Sequence, residues 1–211
     1  MDRMLRIGTI ILLTSAFFAC EERPKAADIP TRATKNASNM EDDPYEIDPA
    51  DADPKARALM KEAFYWSPIE ESGPFGSDDG WDTFFSFKKW RTGQRTTSPV
   101  VFLEQRLDEW NYPRFDLQEL DETRLNALMK ATRTGYMTLV GTDNAIIAIG
   151  FGQFVLEGRI DPDIQALTRT ALHRELLPTM LALFGEDHRA PRTEQLKKML
   201  SVVDRMNDPS L

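Results

Sequence analysis

The chain has 211 residues, a single cysteine, and 26 Lys+Arg against 34 Asp+Glu, a formal net charge of −8. Residues of the hydrophobic class make up 41%, enough for one packed domain and too little for a multi-span membrane protein. One Cys excludes an internal disulfide and a Cys-rich zinc site, two His leave little material for a histidine metal site, and the acid excess argues against nucleic acid as partner.

In chain order, Arg3 and Arg6 outweigh Asp2 and make the start positive. Ile7 to Phe18 is almost wholly apolar, and Ala19-Cys20 follows. A positive start, a short apolar run and a small-residue junction are the plan of a secretory signal. The run, about twelve residues, is short of the roughly 20 that a spanning helix needs. Phe17-Phe18-Ala19-Cys20 resembles the lipobox of bacterial lipoproteins, with Phe17 and Phe18 standing where that family has Leu and a small residue. The resemblance implies that residues 1–19 are a signal peptide, that the Cys20 thiol receives a diacylglyceryl group, and that acylation such as palmitate anchors the chain to a membrane. Two or three acyl chains hold stably where one does not. Glu21, in place of the Asp that resembles an inner-membrane retention signal, leans towards the outer membrane. The other readings are an ordinary cleaved signal or an uncleaved anchor with an incidental Cys.

Residues 20–53 are expected to form an acidic tether. From Glu21 to Asp53 the apolar pattern disappears, Pro24, Pro30, Pro44 and Pro49 interrupt the chain, and ten acids face four bases. Such a composition cannot offset the entropy of ordering, so disorder is expected. A flexible chain of this length spans roughly 30 Å. It would hold a folded body away from a membrane, or serve only as a connection. Beyond Asp53 the charge is nearly balanced, with 20 bases and 23 acids.

Residues 54–211 read as one all-α, bundle-like domain of six to eight helices. Asp53 and Pro54 open the first, expected to run to Trp66 with Ala56, Leu59, Met60 and Ala63 on one face. Ser77 caps a second reaching Trp90, with Asp78, Asp79 and Asp82 in its first turns, where acids suit the helix dipole. Ser98 and Pro99 start a third, striped by Val100, Leu103, Leu107 and Trp110. A fourth is expected from Asp121 to Arg133. Asn144 to Glu157, apolar nearly all round, is expected to be a central helix capped by Asp143 and stopped by Gly158. The alternative is a hairpin of Tyr136–Val140 with Ala145–Val155 around Gly141 to Asn144. Asp161-Pro162 opens another helix that Pro178 divides, and Arg192 to Met206 closes the body.

The densest polar feature is the segment from Glu70 to Asp82. It holds Glu70, Glu71, Asp78, Asp79 and Asp82, three glycines, and the candidate binding residues Phe75, Ser77 and Trp81. Hard cations want several oxygens from a tight loop, but the spacing is not that of an EF-hand. A loop entering a capped, acidic helix start explains the same residues, and no metal or cofactor is expected. His173 is followed by Arg174 and Glu175, which is not the zincin order, and no phosphate-binding loop or nucleophile elbow occurs. Aromatics crowd the first half, and Lys88, Lys89, Arg91 and Arg95 form a basic patch that a helix C-terminus would favour.

The stretch Phe64-Tyr65-Trp66-Ser67-Pro68 through Pro74-Phe75-Gly76-Ser77-Asp78-Asp79-Gly80, with Trp110-Asn111-Tyr112-Pro113 and Asp143 to Phe154, resembles bacterial YfeS-like proteins. These are uncharacterised, so no catalytic residue carries over. Some relatives bear a WGR-domain label, which implies nucleic-acid contact. This chain has Trp90-Arg91 and no Trp-Gly-Arg, so no nucleic-acid partner is expected. The expectation is a membrane-anchored envelope lipoprotein whose helical body binds a protein or ligand. The alternatives are an enzyme of unknown reaction using the acids of 70–82 and a cytoplasmic YfeS-like protein whose N-terminus only mimics a signal.

Overall fold

A computed structural model describes residues 47–211. The expected signal peptide, Cys20 and the tether up to Glu46 lie outside the described residues. Among the described residues there are eight α-helices and no strand. They are α1 (Pro54–Leu59), α2 (Asp78–Gly93), α3 (Pro99–Glu109), α4 (Glu122–Ala131), α5 (Gly135–Glu157), α6 (Pro162–Glu175), α7 (Pro178–Leu181) and α8 (Glu186–Arg205).

The arrangement follows from α5, whose side chains are apolar around most of the helix circumference. Such a helix must be enclosed. α1, α2, α3, α4 and α6 all pack on it, and α8 packs on α6. Leu139, Ile146, Ile149, Phe151 and Phe154 are fully buried, each stabilising the fold by about 1.5–3 kcal/mol. By length and hydropathy α5 would suffice to cross a bilayer, yet most of it is covered by the rest of the body, as in the core helix of a globular domain.

Two glycines set how closely its neighbours approach. A Cβ at Gly152 would lie 2.8 Å from the Phe84 ring on α2, and one at Gly150 would run into Oγ1 of Thr168 on α6. Each Gly costs about 1 kcal/mol of helix propensity, and close packing of α2 and α6 offsets it. Gly158, at φ 65°, ends α5 in the left-handed conformation that glycine tolerates, and its N–H donates to Phe154 O.

Side-chain caps mark four of the eight helix starts. Asp53 accepts from Lys55 N, Ser77 from Gly80 N, Ser98 from Val100 N and Asp121 from Arg124 N. Proline stands first in α1, α3, α6 and α7, where its missing N–H has no intrahelical partner to lose.

Several expectations are corrected. α5 begins at Gly135, not Asn144, and absorbs the segment around which the alternative reading placed a hairpin. Asp143 lies buried inside it and caps nothing. Gly141, which looked like turn chemistry, instead makes room for α2 and the segment after α3. A Cβ there would sit 2.8 Å from both Asp79 Oδ2 and Tyr112 Oη. α1 stops at Leu59, and Ala63–Tyr65 forms a separate 3₁₀ turn. Trp66, just after that turn, donates Nε1–H to Met60 O at 2.8 Å and so ties it to the end of α1. α8 starts at Glu186 and accommodates Pro191.

The end of the expected tether also belongs to the packed body. Ile47 and Ala52 are buried, a 3₁₀ turn spans Pro49–Asp51, and Asp53 N donates to Val155 O at 2.9 Å. One apolar residue and a capped Pro turn suffice to dock a segment whose average composition suggests disorder.

Replacing Gly150 by Ala should destabilise the protein by about 1–3 kcal/mol in denaturant unfolding, because the added methyl displaces Thr168. In a Thr168→Ala background the loss should shrink, since the obstructing hydroxyl is gone; equal losses in both backgrounds would refute this packing account.

Candidate functional site

The acidic segment is held by its own backbone before any partner is considered. Ser67 Oγ accepts from Ile69 N at 3.3 Å and Glu70 N at 3.1 Å, and Gly73 N donates to Glu70 O at 2.7 Å. A side chain at Gly73 or Gly76 would collide with the carbonyls of Phe64 or Glu70, so the loop closes only with glycine at both positions. Phe75 then drops into the core, fully buried, with its ring centroid 4.6 Å from that of Phe84. Phe75, named among the candidate binding residues, thus clamps the loop to the body and presents nothing to solvent.

The five carboxylates do not converge. Ser77 caps α2, and beyond it Asp78 and Asp82 are exposed while Asp79 is half-buried. Burial pushes the Asp79 carboxyl up, and the neighbouring charges of Asp78 and Asp82 push it further. Trp81 packs on Phe85 with ring centroids 4.6 Å apart. Among the described residues, no group of three or more His, Cys, Asp or Glu could hold a metal ion.

Glu70 and Glu71 lie elsewhere, with Ile69 and Ser72. They line a cleft of about 400 Å³ shared with Phe184, His188 and Arg192. Ile69 is 86% exposed, unusual for an aliphatic side chain on a rigid loop. The Arg192 guanidinium lies 4.0 Å from the Phe184 ring centroid, and its Nη2 donates to Glu175 Oε2 at 2.5 Å. Its Nη1 lies 3.5 Å from Glu71 O, at the limit of a hydrogen bond. Arg192 is only 5% exposed and Glu175 is fully buried, yet Arg192 Nε and Glu175 Oε1 have no partner among the described residues.

Behind this pair runs a buried chain of charge that sequence inspection did not find. Arg174 beside Glu175 is fully buried and meets the Asp143 carboxylate, with Nε 3.0 and 3.1 Å from its two oxygens. Arg174 Nη1 also donates to Leu117 O and Glu119 O at 3.1 and 2.9 Å. Burial pushes Asp143 up and Arg174 draws it back. For Arg174, burial works against the charge, but Asp143 and Glu175 hold it firmly protonated. A signal existed: Arg174 is seven residues from Leu167 and Glu175 four from Ala171, so both charges fall on the apolar stripe of α6.

The basic patch also divides. Arg91 turns inward and joins the ends of α2 and α5: Nε and Nη2 donate to the two Glu157 oxygens at 2.5 and 3.2 Å, and Nη1 donates to Gln94 O and Thr97 O. Burial opposes the Glu157 charge, but hydrogen bonds from Arg91 and Gln153 hold its carboxyl below the usual glutamate range. Lys88, Lys89 and Arg95 remain exposed.

Arg174→Met should cost about 3–5 kcal/mol, because Asp143 is left buried and unpaired. Arg169→Met, which removes only the exposed pair with Asp204, should cost at most about 1 kcal/mol. Similar losses in denaturant titrations of the two variants would contradict the buried-chain account. For Glu157, the depressed carboxyl contributes stability that is present above its unfolded value of 4.5 and is lost as pH falls through the lower folded value. Glu157→Gln should therefore be less stable at pH 7 by about 1–3 kcal/mol, with the two stability curves converging in acid.

No family model, no curated protein and no solved structure matches this chain.

Proposed function

We propose that the chain is a bacterial envelope lipoprotein, acylated on Cys20 and held on the extracytoplasmic side of a membrane, with the outer membrane favoured. The stretch before Ile47 would serve as a spacer. Its helical body acts as a binding module that engages an envelope protein through the cleft between the Ser67–Ser77 loop and α7–α8. The supporting sequence pattern is the apolar run that ends at the chain's only cysteine.

The observation that carries the binding role is Ile69, 86% exposed beside Glu70 and Glu71 on a loop that backbone hydrogen bonds and buried Phe75 keep rigid. An ordered apolar side chain next to two acids suits a partner segment that pairs a basic residue with an apolar one. The rigidity lowers the entropy lost on binding. Catalysis by the five acids as a set is less well supported, because Glu70 and Glu71 line one cleft while Asp78, Asp79 and Asp82 belong to the start of α2.

A photocrosslinker in place of Ile69 in the full chain, irradiated in its own envelope, should yield one discrete adduct. That adduct should be lost in the Glu70→Lys/Glu71→Lys variant and be missing when the crosslinker replaces Lys130 on α4. Labelled palmitate should enter the wild type and not Cys20→Ala. Label persisting on the variant, or identical adducts at positions 69 and 130, would overturn the proposal.

A further inference from the structure

The described body carries a second cleft, of about 480 Å³, where the C-terminal ends of α2 and α5 meet. It is lined by Lys88, Arg91, Thr92, Arg95, Leu156, Glu157 and Arg159. Four of these seven side chains are cations and one is an acid, although residues beyond Asp53 carry more acids than bases. The cleft thus departs in sign from the body that forms it.

Two of the cations are accounted for by structure. Arg91, only 4% exposed, is held by Glu157 and by the Gln94 and Thr97 carbonyls. Arg159 pairs with Glu157 at 2.9 Å and with Asp161. The side chains of Lys88 and Arg95 make no hydrogen bond or ion pair among the described residues. Lys88, Arg91 and Thr92 share one face of α2 at i, i+3 and i+4, and Arg95 joins the cleft from the turn that follows Gly93. The helix dipole does not explain Lys88, because that effect fades within the last turn and Lys88 stands five residues before Gly93, where α2 ends. Thr92 Oγ1 donates to Lys89 O at 2.7 Å, so its hydroxyl proton is already used. Leu156 supplies an apolar wall.

We propose that this cleft binds a phosphoryl group. Lys88 and Arg95 meet its charge, the Arg91–Glu157 pair keeps the walls in place beforehand, and Leu156 receives the apolar part of a ligand that has one. A multiply charged oxyanion matches two unpaired cations, and guanidinium suits the planar, forked contacts that phosphate oxygens offer. The phosphoryl group is either that of a soluble phosphate ester or that of a lipid headgroup at the membrane surface. This inference does not depend on the cleft at Ile69 or on acylation of Cys20.

The test is protection of Lys88 from an amine-acylating reagent, read by peptide mass spectrometry with Lys198 as internal control, on the full chain in neutral detergent. Pyrophosphate should slow Lys88 acylation and leave Lys198 unchanged. Its affinity by calorimetry should fall about tenfold in Lys88→Gln/Arg95→Gln, two exposed positions whose replacement leaves the melting temperature in place. In a second arm the full chain is reconstituted into vesicles of phosphatidylcholine alone or with phosphatidylglycerol. Protection by pyrophosphate identifies a soluble phosphoryl ligand, and protection only with phosphatidylglycerol identifies a lipid headgroup. Either supports the proposal. Protection no greater than that from potassium chloride of equal ionic strength in the first arm, together with equal Lys88 acylation in both vesicle types, overturns it.

Discussion

Enclosure of α5 is the constraint from which the rest of the body follows. A helix apolar on nearly every side has no face to offer water, so five other helices pack around it. Enclosure also carries Asp143 into the interior, since that residue lies within the helix. A buried carboxylate persists only with a charged, hydrogen-bonded partner. Arg174 on α6 supplies it, and also takes up the Leu117 and Glu119 carbonyls from the segment between α3 and α4. One ion pair therefore ties three parts of the chain together. The register of α6 on α5 is specified by charge as well as by the contact of Gly150 with Thr168.

The same chain of charge reaches towards the surface. Glu175 follows Arg174 and meets Arg192 of α8, which lies beneath the cleft formed by the Ser67–Ser77 loop. The members of this chain balance in number, two acids against two bases. At the opposite end of the α5 sequence, Arg91 and Glu157 join α2 to the C-terminus of the central helix and leave exposed cations beside them. Both clefts thus have walls held by buried or half-buried ion pairs, which limits how much they must rearrange when filled. Their outer side chains differ in sign, with Glu70 and Glu71 at one and Lys88 and Arg95 at the other, so the two suit different ligands.

Local chemistry was legible wherever one residue decides a local conformation. Asp53, Ser77 and Ser98 cap helices as expected, and Pro54, Pro99 and Pro162 open helices, where a missing N–H costs no intrahelical bond. The all-α class followed from apolar stripes at helical spacing. Legibility failed where distant residues override local preference. Gly141 and Asp143 have turn character in isolation, but Tyr112 and Asp79 need the space over Gly141, and Arg174 neutralises Asp143. Ile47 escaped notice because a single apolar residue does not alter the average of a polar segment. The acids of residues 70–82 looked like one cluster because they are close in sequence, yet burial of Phe75 and the cap at Ser77 send them in two directions.

From residue order alone come the helical class, the cap positions, the apolar stripes and the apolar run that leads to Cys20, all of which depend on groups a few bonds or one helical turn apart. Only the folded chain pairs Asp143 with Arg174, Glu175 with Arg192 and Arg91 with Glu157, residues 31, 17 and 66 positions apart. Such pairs form because enclosing α5 removes water from around these charges, and each then requires the nearest opposite charge in space, which the intervening sequence does not reveal.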